Sequence, residues 1–370
     1  MSFKEKVLSK SNSYNYYKNQ NEELLKKIET LEKEKEELRK KIEPVEKENE
    51  ELRKKINFLE NKENNILKRK FTNFQNTSSF CDWKYIDFYT NEEYEDKLKE
   101  VTKHLPSHAK KTFKMYALRA MVISMLKRDT LYFNYELDEQ KKFTEFKINN
   151  STNEEIAGYK FTGDYNLHPF INLGLSEKDL EYIKNKDIID AGAFTGDTSI
   201  PLSKVTSKNI YAFEPFKESF DLLKKNIEDN NIKNIIPVNK SLGNINGERT
   251  LYLSGNNVQG ITSDSNIRTY NEELKVEEVT VDEFVKENNL DVGYITVDVE
   301  GAEMDLLNGA INTIKTQKPI LFISIYHKVS DYYGIIPWIA DLDLGYEFNI
   351  IKENPWTFLA DTIVTCKIRR

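Results

Sequence analysis

Four short stretches of the 370-residue chain bring carboxylates, glycines and a histidine together at spacings that could do chemistry on a small charged ligand. The first is Asp190-Ala191-Gly192-Ala193-Phe194-Thr195-Gly196, behind the apolar pair Ile188 and Ile189. Glycine lets a backbone approach a ligand closely and take dihedrals closed to other residues, and a helix starting beyond the turn offers unpaired N–H groups. A dinucleotide fingerprint reads G-x-G-x-x-G, with pyrophosphate at that helix start. The pattern here is D-x-G-x-x-x-G, and Asp190 would repel a phosphate. An acid at this turn suits a ligand with a cation, such as a sulfonium or an α-ammonium. A plain strand-to-helix turn is the bland alternative.

The second stretch ends in Glu214, 24 residues after Asp190, with Pro215 closing the strand behind it. A carboxylate so placed can accept both ribose hydroxyls of an adenosine; a surface or capping glutamate is the alternative. The third, Val297-Asp298-Val299-Glu300-Gly301-Ala302-Glu303, follows a strongly apolar run. Its carboxylates could hold a cation, orient a substrate hydroxyl or act as general base, although Glu303 could simply favour a helix dipole from the first turn. The fourth is His327, at the end of PILFISIYH. Histidine exchanges protons most readily near neutrality, so Asp298 and His327 are the candidate catalytic pair for removing a hydroxyl proton. The same groups could ligate a divalent metal, but their spacing defines no metal motif, and no metal is assigned. His104, His108 and His168 have no comparable placement.

These residues need elements to carry them. From residue 156 onward strand and helix patterns alternate: KDIIDAG, KNIYAFEP, NIIPVNKSL, VGYITVDVEG and PILFISIYH read as strands. DTSIPLSKV, FKESFDLLKKNIEDNN, VDEFVKENN and AEMDLLNGAINTI read as helices between them. GERTLYLS with LKVEEVT reads as an antiparallel insertion, and GYEFNIIKE with TFLADTIVTCKI as a closing hairpin. Such alternation predicts a mostly parallel sheet with helices on both faces, binding its ligand at the carboxyl edge.

Residues 71–155 read as a helical or mixed linker domain. TNEEYEDKLKEVTKHL is helical in pattern, and SHAKKTFKMYALRAMVISMLKR carries Phe113, Tyr116, Ala117, Ala120, Met121 and Ile123 at helical spacing. Its Lys110, Lys111, Lys114, Arg119, Lys127 and Arg128 read as the wet face of that helix, with an acidic-substrate surface as the alternative. Residues 1–70 repeat: EELRKKI occurs at 36–42 and again at 50–56. Heptads place Leu24, Leu31, Leu38, Val45, Leu52, Leu59 and Ile66 at d, and Ile28, Lys35, Ile42, Asn49, Ile56 and Glu63 at a. Isoleucine at a with leucine at d favours a parallel two-stranded coil, and Asn49 at a fixes register. Pro44 sits away from the seam but deletes a helical hydrogen bond and kinks the helix. Residues 24–66 are therefore the expected stalk of a homo-oligomer, a parallel dimer; a charged helix on its own domain is the alternative.

Composition narrows the function. The net charge is −7; residues 1–70 hold 19 Lys+Arg against 15 Glu, leaving 35 basic and 46 acidic residues beyond them. That asymmetry marks separate modules and excludes a basic nucleic-acid surface. Cys81 and Cys366 form no disulfide or zinc framework, which fits a reducing, cytoplasmic setting. The start MSFKEKVLSK lacks a signal-peptide core, and no run of about 18 apolar residues offers a membrane span.

DAGAFTGDTS, AFEPF, VTVDEF and above all VDVEGAE followed by PILFISIYH resemble the FkbM-type methyltransferase family over roughly residues 160–370. The resemblance implies an α/β, Rossmann-like class I methyltransferase fold with a seven-stranded, mostly parallel sheet over residues 156–370. It implies S-adenosyl-L-methionine as cofactor and O-methylation of a sugar or other hydroxyl acceptor in bacterial glycan or secondary-metabolite synthesis. Carried over by motif, Asp190, Gly192 and Gly196 line the methionine side. Glu214 holds the ribose, Ser241 and Leu242 lie near adenine, and Asp298 faces the reacting methyl group; Phe194, Asp197 and Pro215 complete the cofactor-binding set. There is no (D/N)PP(Y/F) segment, which disfavours methylation of bases or amides. The rival readings are a non-catalytic coiled-coil scaffold with a degenerate nucleotide-binding fold, an NAD-dependent oxidoreductase and an aminopropyl transferase.

Overall fold

The computed structural model describes residues 86–90, 92–126, 134–152, 155–171, 174–253, 261–262, 272–357 and 359–369. The heptad segment 24–66, Pro44 and Cys81 lie outside the described residues. All of those described belong to one compact unit, Thr72–Arg370.

Helices α1 (Ile86–Thr90), α2 (Glu92–Lys103), α3 (Ser107–Leu126) and α4 (Asn134–Asn150) come first. A ribbon of β1 (Glu155–Ile156) and β2 (Tyr159–Lys160) leads to α5 (His168–Ile171) and α6 (Glu177–Ile183). Ser176 starts α6 through a capping box with Asp179, so two orphan N–H groups are satisfied reciprocally. The alternating part runs β3 (Asp187–Ala191), α7 (Ser199–Leu202), β4 (Ile210–Phe213), α8 (Lys217–Asp229) and β5 (Ile235–Val238). The insertion follows as β6 (Ser241–Gly243), β7 (Gly247–Leu253), β8 (Ile261–Thr262) and β9 (Glu272–Thr280). Then come α9 (Val281–Glu287), β10 (Val292–Val297), α10 (Glu303–Gly309), α11 (Ile311–Gln317) and β11 (Ile320–Ser324). Helix α12 (Val329–Asp341) and the hairpin β12 (Tyr346–Lys352) and β13 (Thr362–Ile368) close the chain.

The main sheet has seven strands in the order β12-β13-β11-β10-β3-β4-β5. Strands β11, β10, β3, β4 and β5 are parallel, and β13 runs antiparallel to β11 and β12. This is the Rossmann-like, seven-stranded, mostly parallel arrangement expected above. Strand order turns back between β3 and β10, and the crevice at such a point is where open α/β sheets take ligands. The insertion forms a second sheet, β6-β9-β7-β8, in which β7 pairs antiparallel with β9 as expected.

Successive strand side chains point to opposite faces, and the buried residues divide accordingly. Ile189, Ala191, Tyr211, Phe213, Ile295, Val297, Leu321 and Ile323 join one core with residues of α2, α3 and α9 to α12. Ile188, Ile210, Ala212, Tyr294, Ile320 and Phe322 join the other with residues of α6 to α8. Each fully buried aliphatic or aromatic side chain stabilises the fold by about 1.5–3 kcal/mol relative to exposure. Phe113, Tyr116, Ala117 and Ala120 of α3 lie in the first core, and Phe113 stacks on Tyr332 at 4.5 Å. Helices α1, α2 and α3 thus share a core with the sheet.

Several elements depart from the sequence reading. DTSIPLSKV yields only the four-residue α7. AEMDLLNGAINTI breaks into α10 and α11 at Gly309, where a Cβ would stand 2.0 Å from the Gly243 carbonyl oxygen. PILFISIYH leaves the strand at Ser324, so His327 stands on the loop beyond. Arg119 is not on a wet face: it is buried and forks onto Glu136 of α4 at 2.7 and 2.8 Å. No helix among the described residues is long and apolar enough to cross a membrane.

Candidate active site

The end of β3 turns sharply at Gly192, with φ at +84°, and a Cβ there would stand 1.8 Å from the Asp298 carbonyl oxygen. Only glycine satisfies both conditions. The turn is fastened to its neighbours: Gly192 and Ala193 donate N–H groups to the Phe213 carbonyl at 3.1 and 2.9 Å, and Asp298 donates to Ala191 at 2.9 Å. Gly196, four residues on, lies under Leu223 and Ile200.

Three buried carboxylates surround this turn. Asp190 accepts a short hydrogen bond from the Ser199 hydroxyl, yet burial lifts its carboxyl to about 7, with the Glu353 charge adding to the rise. Asp197 accepts from the Asn166 N–H at 2.5 Å, and burial lifts it to about 7. Glu214 caps the end of β4, accepting from the Phe194 N–H at 2.9 Å and the Phe216 N–H at 2.8 Å. Phe194 holds a left-handed φ of 48°, which that bond helps to fix. Burial lifts Glu214 to about 8 despite both bonds. Among the described residues no lysine or arginine pairs with these three acids. Each Glu214 oxygen keeps a second lone pair for a ligand.

A second cluster stands at the ends of β10 and β11. His327, 3% exposed, places Nδ1 2.8 Å from Glu303 Oε1. Its Nε2 lies 3.4 Å from Glu300 Oε2 and 3.6 Å from Asp298 Oδ1. Burial opposes the charge on His327, but Glu303, Glu300 and Asp298 raise it to about 10. Glu303 is wholly buried; burial pushes it up, but His327 and the N–H groups beneath it hold it below the usual carboxylate range. Those N–H groups belong to Val299 and Gly301, at 3.2 and 3.3 Å. Glu303 thus occupies the first turn of α10, as its dipole reading required, and also grips the histidine. Asp298 is pushed up by burial and by Glu300, Glu303 and Glu353, with His327 opposing. Its side chain keeps 42% of its surface, so water tempers the burial contribution and the neighbouring carboxylates matter more. Tyr326 OH comes within 3.5 Å of Asp298 Oδ2. Asp331 of α12 lies behind Glu303, and burial with the Glu303 charge lifts it to about 8.

The glycine turn, the acid ending β4, and the Asp298 and His327 cluster therefore meet along one carboxyl edge of the sheet. Residues 190–348 match the family model of the methyltransferase FkbM domain. The chain is similar to the crystal structure of methyltransferase FkbM from Methylobacillus flagellatus KT, at 15% identity and a TM-score of 0.49. That match covers 76% of this chain, which spans 60% of the length of the Methylobacillus protein. It is also similar to an rRNA methylase from Streptococcus thermophilus, at 12% identity, covering 52% of this chain and 92% of that one, TM-score 0.34. Fibrillarin from Aeropyrum pernix, solved with S-adenosyl-L-methionine, matches at 13% identity over 50% of this chain and 68% of its own, TM-score 0.30. No curated protein matches the sequence significantly.

The remaining expected residues are disposed unevenly. Pro215 follows β4, and its carbonyl accepts from Asn239 at 3.1 Å. Ser241 and Leu242 lie on β6, paired with Glu278 and Val279 of β9. Ser241 Oγ lies 3.3 Å from the Glu277 carbonyl, and the Leu242 side chain is buried in the core. The turn after β3 and the closing hairpin also contribute residues that sequence reasoning missed. Ser199 is in the motif's helix and was legible as a polar residue at a helix start. Glu353 approaches His168 at 3.3 Å and Asn166 at 3.4 Å, and only the folding of the β12–β13 hairpin brings it there.

Proposed function

We propose that the chain is an S-adenosyl-L-methionine-dependent methyltransferase acting on a hydroxyl of a sugar, glycan or other small molecule. The observation that carries this reading is the set Asp190, Asp197 and Glu214: three buried carboxylates around one glycine turn, with no basic side chain paired to them among the described residues. Buried charge needs a partner, and a ligand with an α-ammonium and a sulfonium fits that need. Asp190 and Asp197 would hold the methionine end with Gly192, Phe194 and Gly196. Glu214 and Pro215 would hold the ribose, and Ser241 and the Leu242 backbone the adenine. Bound there, S-adenosyl-L-methionine supplies an activated methyl group.

The rest falls to the chain's own side chains. Asp298, the accessible member of its cluster, would orient the acceptor hydroxyl and take its proton, because burial and the neighbouring carboxylates raise its proton affinity. His327, clamped by Glu303, acts as a positioning residue behind Asp298, and alignment of this kind supplies several kcal/mol of barrier reduction.

Calorimetry of the full chain with S-adenosylhomocysteine tests the donor site. Saturable binding is expected, weakened at least about tenfold, or about 1.4 kcal/mol, in Glu214→Gln. Asp298→Ala should keep that affinity and lose transfer of labelled methyl to hydroxyl acceptors. Absence of binding to the parent chain overturns the reading; weak binding in Asp298→Ala would move that residue into the donor pocket.

A further inference from the structure

We propose that Asp298, Glu303 and His327 form a binding site for one divalent metal ion. Each of the three offers one ligand atom, and these atoms all lie within 4.8 Å of one another. Ligands held about 2.0–2.3 Å from an ion stand roughly 3–4.4 Å apart, so the set closes on an ion with shifts of a few tenths of an ångström. Three different elements supply it: the end of β10, the first turn of α10 and the loop after β11.

The second observation is independent of that spacing. Asp298 Oδ1, Glu303 Oε2 and His327 Nε2 are all buried, and none has a hydrogen-bond partner. Glu303 is 0% exposed and His327 3%. Orphaned polar atoms are rare in folded interiors and call for an unplaced water or ion. Asp298 Oδ1 and Glu303 Oε2 belong to two of the residues whose ligand atoms converge, and an ion there would satisfy them. Among the described residues Asp298 and Glu303 make ion pairs only with His327.

The surroundings have the form that metal-bound histidines take. An ion shared by His327 and Glu303 sits at Nδ1, which lies 2.8 Å from Glu303 Oε1, and this leaves Nε2 for the carboxylate that a ligating imidazole takes on its other nitrogen. Glu300 Oε2, 3.4 Å from Nε2, stands at the edge as a further carboxylate. One nitrogen with two or three carboxylate oxygens suits Mn2+, Fe2+ or Zn2+. Asp298, 42% exposed, leaves one side of the site open to a small molecule. The role of the ion rests on the proposed function: it would hold the acceptor hydroxyl and lower its proton affinity, as bound divalent ions do.

Mn2+ titration of the full chain tests the site, followed by the loss of the free-ion paramagnetic resonance signal. One Mn2+ per chain is expected, with nitrogen coupling from an imidazole in the pulsed spectrum. Asp298→Asn, at the accessible position, should weaken binding at least about tenfold, and His327→Gln should abolish the nitrogen coupling. No saturable Mn2+ binding, or unchanged affinity in both variants, overturns the site and leaves a metal-free Glu303–His327–Asp298 relay. S-adenosylhomocysteine binding, measured without metal, is read separately, so loss of the ion site and loss of the donor site are distinguishable.

Discussion

Asp190, Asp197 and Glu214 carry the heaviest electrostatic load in the proposed donor site, and their titration should be visible in stability. Burial raises them to about 7, 7 and 8 in the folded chain, whereas carboxyls in an unfolded chain titrate near about 4. The folded state therefore binds more protons than the unfolded state between those limits, and stability falls as pH rises. The contribution is fully present below the unfolded values and lost as pH passes through about 7 and 8. The melting temperature of the ligand-free chain should decline across that window, and Glu214→Gln should flatten the upper part of the decline. A cationic ligand favours the ionised acids, so the melting shift produced by S-adenosylhomocysteine, through its α-ammonium, should grow over the same range. A ligand-free melting temperature that rises with pH there contradicts the assignment.

At the scale of elements, α3 and α4 are joined by a charge pair that is almost wholly removed from water. Arg119 and Glu136 have side chains 2% and 1% exposed, with two hydrogen bonds at 2.7 and 2.8 Å. Removing one partner leaves the other buried and uncompensated, which costs about 3–5 kcal/mol. Arg119→Met should lower stability by that amount in urea unfolding, and Arg119→Met with Glu136→Leu should recover most of it; equal loss in both variants would rule out charge burial as the cause. This pair also shows where the sequence stops being informative. The apolar face of α3 is legible because Phe113, Tyr116, Ala117 and Ala120 repeat at helical spacing. Arg119 looks like its basic neighbours until Glu136 of a separate helix meets it. The parallel strands are legible for a similar reason: Ile188–Ile189 and Ile320–Ile323 are apolar throughout, as strands covered on both faces must be. Helix α12 is obscured by Gly334 and by Pro337 inside it. Asp190, Glu214, Asp298 and His327 each end a strand or follow one, so strand assignment alone brings them to one edge. Glu303 and His327 are 24 residues apart; their contact depends on β10 and β11 being neighbours, which the chain order does not state.

At the scale of the whole molecule, the chain divides between Phe71 and Thr72 into two compact units. We assign self-association to residues 24–66, whose apolar d positions run from Leu24 to Ile66 with only Lys35, Asn49 and Glu63 polar at a. Such a seam buries its apolar stripe only against another helix, and Pro44 costs it a hydrogen bond without touching the stripe. A chain beginning at Thr72 should therefore keep a cooperative melt and its S-adenosylhomocysteine affinity while sedimenting as a monomer. The full chain should sediment as a dimer that dissociates on dilution. Asn49→Ile in the full chain should tighten the association and loosen its stoichiometry, since a buried asparagine at a restricts the coil to two strands at the expense of stability. A full chain that sediments as a monomer at every concentration would remove the stalk assignment and leave the donor and metal sites of Thr72–Arg370 untouched.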